Sequence, residues 1–253
     1  EIGIPMSQNI SKDSVIVGRE KELSLMLETL LRKQKNNPLL IGKAGVGKTA
    51  LVEELARRIK YHEVPEELEG MEIISLEMGS LVAGTKYRGE FEEKLNKIIK
   101  EVMSEKNIIL FIDEIHSMVN AGGAEGAISA SDILKPYLAR GSIKVIGATT
   151  LEEYHEFLEH DKALDRRFER ILIEEPTKSE MKKILTQIVP SYESHYDLAI
   201  TEENIDDIIE LSDKYLFQKN NPDKSIDLLD SVCARIKRKN THQTNKDAAQ
   251  ELE

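Results

Sequence analysis

The 253-residue chain has a single cysteine, no tryptophan and no long apolar run. Because Cys233 stands alone, an internal disulfide and a zinc site built from several cysteines are both excluded. The longest unbroken apolar stretch, residues 108–112, is far shorter than the ~20 residues that a helix needs to cross a bilayer. The first residues carry no basic and apolar leader pattern. We therefore expect neither a membrane span nor a signal peptide.

The charge balance is acidic, with 46 aspartates and glutamates against 35 lysines and arginines, a formal net charge of −11. An acidic surface disfavours broad electrostatic binding to nucleic acid or to an anionic membrane. Hydrophobic residues make up 40% of the chain and charged residues 32%, which is typical of a folded protein rather than a disordered one. The length predicts one large domain, or one domain with a small companion.

Predicted strands and helices alternate along the first two thirds of the chain. The strands are expected at residues 38–42, 71–76, 108–112, 143–148 and 168–173. This alternation predicts an α/β fold with a doubly wound, parallel, five-stranded sheet. Only helical periodicity follows Pro176. The predicted organisation is an arm or linker (1–14), an α/β subdomain (15–175), a small all-helical subdomain (176–238) and a polar tail (239–253).

A glycine-rich segment lies between the first predicted strand and a predicted helix. It fits the pattern G-x-x-x-x-G-K-[ST], in which loop N–H groups and the start of the helix bind phosphate oxygens. The lysine adds a positive charge for the outer phosphates, and the hydroxyl that follows it is a ligand for Mg²⁺. We therefore predict a site for ATP or ADP with Mg²⁺. Its residues here are Gly42, Ala44, Gly45, Val46, Gly47, Lys48 and Thr49.

Two acidic residues end the third predicted strand. Asp113 is placed to bind the same Mg²⁺ as Thr49, and Glu114 is placed to take a proton from an attacking water. The alternative is an acid pair that only caps the next turn. The glycine-rich loop upstream makes this interpretation less favourable. The second acid favours hydrolysis of the nucleotide over simple sensing of it.

Two threonines end the fourth predicted strand. The carboxyl ends of parallel strands share one edge of a sheet, where ligands collect. We therefore expect Thr149 or Thr150 to reach the γ-phosphate or the attacking water. The alternative is a threonine pair that only caps the next helix.

Short motifs follow one another in a characteristic order. They are residues 17–20, the glycine-rich loop, residues 84–93, 112–116, 147–151, 166–168 and 222–224. In this order they resemble the first nucleotide-binding domain of the Clp-type AAA+ protein unfoldases, the ClpB and ClpC kind. The resemblance covers residues 14–238, nearly the whole chain. It departs from the family at residues 219–221, Lys-Asn-Asn, where apolar residues are usual.

The resemblance implies a P-loop AAA+ ATPase that forms a ring, usually a hexamer, with ATP at the subunit boundaries. By position, Arg166 and Arg167 resemble the arginines that a neighbouring subunit inserts into the site, and Thr150 matches the family's first sensor. The resemblance also implies a cytoplasmic protein whose partners are unfolded protein clients and a Clp protease or adaptor. Neither nucleic acid nor a membrane is an implied partner.

Two further parts of the chain acquire roles from the resemblance. Lys86, Tyr87 and Arg88 resemble the pore loop that grips a threaded polypeptide, and residues 121–126 resemble a second pore loop. An aromatic ring can pack on any side chain without sequence preference, which suits such a grip. Val17 and Gly18 are expected to lie against the adenine.

Other functions share these motifs. A nucleic-acid machine such as a clamp loader or helicase loader has the same core, but the acidic charge and Tyr87 disfavour it. A regulatory module that only binds ATP is disfavoured by Glu114 and the arginine pair. Since family members continue on both sides of this domain, we expect the chain to be an excised domain.

Overall fold

The structure is a computed structural model and describes residues 3–8, 10–12, 16–83, 88–120 and 129–251. At residues 82–83, 88–89, 120 and 240–251 it describes the backbone only. The chain forms two compact units. The first consists of Glu1–Lys43 and Lys48–Ile173, and the second of Ala44–Gly47 and Glu174–Glu253.

The first unit contains a six-stranded sheet. Its strands are β1 (Gly3–Pro5), β2 (Asn37–Ile41), β3 (Glu72–Leu76), β4 (Ile108–Ile112), β5 (Lys144–Thr149) and β6 (Phe168–Leu172). They lie in the order β1-β3-β4-β5-β2-β6. Strands β2 to β6 are parallel. All five residues of β2 are buried, because helices cover both faces of a parallel sheet. The predicted α/β fold with a parallel sheet is confirmed.

Strand β1 was not predicted, and it lies in the segment that the sequence assigned to an arm. It runs antiparallel to β3, with Gly3 opposite Leu76 and Pro5 opposite Ile74. A Cβ atom at Gly3 would collide with the side chain of Ile74, so glycine allows this close approach. Pro5 lacks an N–H group and is tolerated on an edge strand. The sheet therefore has one more strand than predicted.

Eight helices of the first unit are described. They are α1 (Glu20–Leu31), α2 (Lys48–Lys60), α3 (Met78–Ala83), α4 (Arg88–Glu105), α5 (Ser117–Asn120), α6 (Ala130–Arg140), α7 (Leu151–Glu153) and α8 (Lys162–Asp165). A 3₁₀ turn covers Glu66–Leu68. Helix α7 is followed directly by a π-helical turn, Tyr154–Leu158. This wider turn accompanies the burial of Tyr154, whose hydroxyl donates a hydrogen bond of 2.7 Å to Asp165.

The second unit is helical beyond residue 174. It contains α9 (Lys178–Tyr196), α10 (Glu202–Tyr215) and α11 (Asp223–Glu251), which runs past the predicted end at residue 238. Its own core consists of Met181, Leu185, Val189, Ile205, Ile208, Ile209, Leu229 and Cys233. Burial raises the pKa of the Cys233 thiol, which keeps this group protonated. Thr177 and Thr201 cap the first two helices through reciprocal side-chain bonds.

Candidate active site

Three parallel strands bring the predicted catalytic segments to one edge of the sheet. Ile41, the last residue of β2, lies opposite Thr149, the last residue of β5. Ile112, the last residue of β4, lies opposite Gly147. The segments that follow β2, β4 and β5 therefore share the carboxyl edge, as the sequence predicts.

The glycine-rich loop begins where β2 ends. Its first N–H group, that of Gly42, donates a hydrogen bond of 3.2 Å to the Thr149 carbonyl and so ties the loop to β5. Gly45 and Gly47 have φ angles of +79° and +96°, which side chains rarely tolerate. Val46 is fully buried and anchors the middle of the loop. The sequence of the loop thus supplies the curled backbone that phosphate binding requires.

Lys48 folds back over the loop. Its ammonium group donates hydrogen bonds of 2.8 Å to the Gly42 carbonyl and 3.0 Å to the Lys43 carbonyl. Burial lowers the pKa of Lys48, and the nearby carboxylates of Asp113, Glu153 and Glu114 offset part of this effect. The ammonium group is therefore partly desolvated and bound to neutral carbonyls. An anion would bind it more strongly than these carbonyls do.

The hydroxyl of Thr49, at the start of α2, donates a hydrogen bond of 2.8 Å to Oδ2 of Asp113. The other oxygen of that carboxylate accepts from the Glu114 N–H at 2.9 Å, which fixes its orientation. Both groups offer hard oxygen atoms, and Mg²⁺ takes one or two protein ligands together with phosphate oxygens and water. In the described residues no group of three or more His, Cys, Asp or Glu side chains could hold a metal by itself. The donor set fits Mg²⁺ that arrives with a nucleotide.

Glu114 adopts a strained backbone conformation. Its φ angle is +50°, which is uncommon for a residue with a side chain. The carbonyl of Glu114 accepts a hydrogen bond of 2.8 Å from the Ser117 N–H, which begins α5. The chain therefore turns sharply as β4 ends and leaves the Glu114 side chain exposed at the carboxyl edge.

The two threonines at the end of β5 have different environments. Thr149 is 2% exposed. Thr150 caps α7, because its oxygen accepts from the Glu153 N–H at 3.2 Å. Oε2 of Glu153 accepts in return from the Thr150 N–H at 3.0 Å and from the Thr149 hydroxyl at 3.3 Å. The cap uses a lone pair of the Thr150 oxygen, and the Thr150 hydroxyl also hydrogen-bonds to the Glu153 carboxylate.

His116 completes this group, although the sequence reasoning did not single it out. Its Nδ1 atom lies 3.2 Å from Oγ1 of Thr149 and 3.1 Å from Oε2 of Glu153. Glu153 was missed as well. The spacing Thr-x-x-Glu of a capping box would have identified Glu153 from the sequence, but no local pattern connects His116 to it.

Arg166 and Arg167 lie away from this edge. They precede β6, whose first residue is opposite Asn37, the first residue of β2. At about 3.3 Å per residue, the length of β2 places them roughly 16 Å from the loop of their own chain. The buried Asn37 amide donates a hydrogen bond of 3.0 Å to the Arg167 carbonyl and fixes this segment. Both arginine side chains are exposed.

Val17 and Gly18 are half-buried. The neighbouring Ile16 N–H donates a hydrogen bond of 3.3 Å to Oε2 of Glu54. Glu54 has a side chain only 1% exposed and also accepts a hydrogen bond of 2.9 Å from Arg57. The segment predicted to contact adenine is thus attached to the helix that follows the loop.

The residues that depart from the family pattern form polar contacts within the second unit. The Asn220 amide donates a hydrogen bond of 3.0 Å to the Ala44 carbonyl. The Asp223 N–H, at the start of α11, donates one of 3.3 Å to the Gly45 carbonyl. Asn221 is 6% exposed, and its amide donates to Asp213 at 3.0 Å. Polar side chains here are satisfied by hydrogen bonds instead of apolar packing.

The predicted pore loops lie outside the described residues. This applies to Lys86, Tyr87 and residues 121–126, while Arg88 begins α4 with its side chain outside the description. Across the described part of the chain, no helix combines the length and apolar character needed to cross a membrane.

Comparison with known proteins gives matches over both units. Residues 38–175 match the family described as "ATPase family associated with various cellular activities (AAA)", and residues 177–253 match "AAA lid domain". The ATP-dependent Clp protease ATP-binding subunit ClpC of Staphylococcus epidermidis is 49% identical over 249 residues, which are 96% of this chain and 30% of that protein. The chaperone protein ClpB of Oceanobacillus iheyensis is 49% identical over 234 residues, 92% of this chain and 29% of that protein.

Solved structures of Hsp104 are similar in fold. The Hsp104:casein complex of S. cerevisiae in its extended conformation superimposes with a TM-score of 0.85 at 38% identity, covering 94% of this chain and 41% of that one. A closed state of Hsp104 with ATPγS and FITC casein gives 0.82 at 39% identity, covering 96% and 43%. The chain thus spans less than half the length of each of these proteins. Together with the geometry of the loop, Asp113 and Glu114, these matches show that the chain belongs to the AAA family of ATPases.

Proposed function

We propose that this chain binds ATP with Mg²⁺, hydrolyses it, and serves as one nucleotide-binding module of a ring-forming, Clp-type protein unfoldase. The observation that carries the first part is the hydrogen bond of 2.8 Å between Thr49 and Asp113. It supports the proposal because two oxygen groups that suit Mg²⁺ are close together, and Thr49 directly follows Lys48. Helical residues 176–238 form the lid of the module in this proposal.

The loop and Lys48 bind the phosphates. The N–H groups of the loop and the first turn of α2 donate to phosphate oxygens. Lys48 exchanges the carbonyls of Gly42 and Lys43 for the outer phosphates, since an ammonium group binds an anion more strongly than a neutral carbonyl. Thr49 and Asp113 would hold Mg²⁺, which would neutralise phosphate charge.

The exposed Glu114 accepts a proton from the attacking water, and the Thr150 hydroxyl donates to the γ-phosphate. The left-handed backbone at Glu114 turns the chain just after β4, and the carboxylate is exposed, which supports this role. Both residues follow neighbouring parallel strands, β4 and β5, which supports their action on one bound nucleotide.

The proposal that the protein forms a ring is based on the position of the two arginines. Because Arg166 and Arg167 lie about one strand length from the loop of their own chain, they suit the site of a neighbouring subunit. Hsp104 is described in complexes with casein. By similarity, we propose unfolded protein as the substrate, with Lys86, Tyr87 and Arg88 as the loop that grips it. A Clp protease or adaptor partner and a cytoplasmic location belong to the same proposal. No observation favours a nucleic-acid machine.

The binding part of this proposal is tested by calorimetric titration of the chain with ADP and Mg²⁺. Lys48→Ala is expected to weaken ADP binding at least about a hundredfold, because a charge-assisted contact to the phosphates is lost in a partly desolvated site. Lys43→Ala removes the same charge from the same loop and serves as the matched control, with affinity changed by less than about threefold. Retained affinity in Lys48→Ala would refute the phosphate site.

A further inference from the structure

One carboxylate oxygen receives three polar groups at the end of β5. Oε2 of Glu153 lies 3.0 Å from the Thr150 N–H nitrogen, 3.3 Å from the Thr149 hydroxyl and 3.1 Å from Nδ1 of His116. The side chains of His116 and Glu153 are 14% and 34% exposed. The Thr150 N–H and the Thr149 hydroxyl donate to this oxygen, as an ionised carboxylate allows, and the direction of the His116 contact depends on the tautomer of the imidazole.

The contacts join two separate parts of the candidate active site. His116 follows Glu114 on the turn after β4, whereas Glu153 and the threonines belong to the end of β5 and α7. The backbones are also joined, since the Ile115 N–H donates a hydrogen bond of 2.9 Å to the Ala148 carbonyl. The imidazole of His116 stacks on the ring of Phe157, with centroids 5.9 Å apart. The histidine is therefore held from two sides.

The electrostatics agree with this geometry. Burial would raise the pKa of Glu153, but hydrogen bonds from Thr150 and Thr149 and the proximity of His116 outweigh it, and the net direction is downward. The carboxylate is thus charged at neutral pH. It accepts hydrogen bonds from the Thr149 hydroxyl, from the Thr150 N–H and from the Thr150 hydroxyl, and so fixes the orientation of the Thr150 side chain.

We propose that Glu153 and His116 are positioning residues. They hold the Thr150 hydroxyl and the Glu114 turn in the positions from which these groups act on the γ-phosphate. Neither residue is assigned a contact with the nucleotide. Because the γ-phosphate contact of Thr150 is part of the proposed function, this inference rests on that function. It predicts a selective effect on nucleotides that carry a γ-phosphate.

The test compares the affinities of the chain for ADP and for ATPγS, both with Mg²⁺. We expect the unchanged chain to bind ATPγS more tightly than ADP. Glu153→Ala should reduce that preference about tenfold, as the loss of one hydrogen bond to a charged group does, with ADP affinity unchanged within about twofold. Glu153→Gln keeps an acceptor for the Thr150 N–H and should restore part of the preference. His116→Ala should act in the same direction.

Glu152→Gln is the matched control, since Glu152 is the exposed neighbour of Glu153 on α7. It should leave both affinities and the melting temperature unchanged. A parallel loss of ADP and ATPγS affinity in Glu153→Ala, or an unchanged preference in Glu153→Ala and His116→Ala, would overturn the positioning role. Equal binding of ADP and ATPγS by the unchanged chain would overturn it too, while leaving the phosphate loop intact. Absence of binding to either nucleotide would overturn the proposed function itself.

Discussion

Thr49 and Asp113 are separated by 64 positions in the chain, yet the hydroxyl of one lies 2.8 Å from the carboxylate of the other. The contact exists because α2 follows β2 through the glycine-rich loop and Asp113 follows β4 at the same sheet edge. Loss of either oxygen should therefore affect the metal and spare the phosphate loop.

Asp113→Asn is expected to reduce the contribution of Mg²⁺ to ADP binding. A neutral amide is a weaker ligand for this hard cation than a carboxylate. Titrations with ADP in Mg²⁺ and in chelator give that contribution as a ratio of dissociation constants, and the ratio should fall about tenfold. Thr49→Ser keeps the hydroxyl ligand and is the control. An unchanged ratio in Asp113→Asn would remove this residue from the metal site.

Glu114→Gln should bind ATP normally and turn it over about 10²–10⁴ times more slowly, the usual contribution of a general base. Glutamine has the size of glutamate but cannot accept the proton of water at neutral pH. Phosphate release under single-turnover conditions, together with ATP affinity, separates the two steps. Equal release rates for Glu114→Gln and the unchanged protein would exclude Glu114 as the base.

Mixing two inactive variants tests whether the arginines act on a neighbour. In the assembled full-length protein, Arg166→Ala lacks the arginine and Lys48→Ala lacks a functional phosphate site. Random mixing in equal amounts creates about one quarter of boundaries with both groups intact. ATPase activity should then rise well above that of either variant alone, since such an arginine is worth about 10³-fold or more in rate. Activity no higher than the mean of the separate variants would assign the arginine to its own chain.

Glu54→Gln is expected to destabilise the chain by about 3 kcal/mol. Its side chain is 1% exposed and lies 2.9 Å from both Arg57 and Arg58, and its neutralisation leaves the buried Arg57 with only the exposed Glu63 as an anionic partner among the described residues. Urea unfolding measures the difference. The control is Glu53→Gln, the exposed neighbour on α2, which should change the free energy of unfolding by less than about 0.5 kcal/mol. Equal effects of the two changes would contradict the role assigned to Glu54.

The stability of the protein should also fall in acid because Glu54 becomes protonated. Burial would raise the pKa of this carboxyl, but hydrogen bonds from Arg57 and Arg58 outweigh burial and lower it below the ordinary 4.5. A lowered folded pKa stabilises the protein above the ordinary value, and this stabilisation is lost as the pH falls through the folded pKa. The free energy of unfolding should thus decline below pH 4.5, with a smaller decline in Glu54→Gln. Parallel pH profiles for both proteins would refute this source.

Much of the sheet was predictable because its parallel strands carry runs of apolar residues, which in β4 are uninterrupted. Strand β4 covers the predicted residues, Ile108–Ile112, and the other predicted strands differ by one residue at one end or at both ends. Strand β1 was not predictable, since three residues show no periodicity and their pairing depends on the free edge of β3. The structure of residues 3–5 is therefore determined by their pairing with β3.

The phosphate loop and the acid pair were predictable because their chemistry is concentrated in consecutive residues. The contacts of His116 were not, since Thr149 and Glu153 approach it only through the pairing of β4 with β5. The burial of Glu54 was not predictable for a different reason. In the sequence a glutamate on a helix is expected to face solvent, and only its contacts with the arginines and the Ile16 N–H explain its burial.

Strand β1 has a consequence for how the protein behaves at high concentration. An unprotected β3 would offer a row of backbone donors and acceptors to another chain, which is a route to aggregation. The added strand is only Gly3–Pro5 and includes a proline that cannot donate. Strand β1 pairs with part of the backbone of β3, and its own outer edge offers very few hydrogen-bonding groups to another strand. It therefore keeps this edge of the sheet from pairing with other molecules.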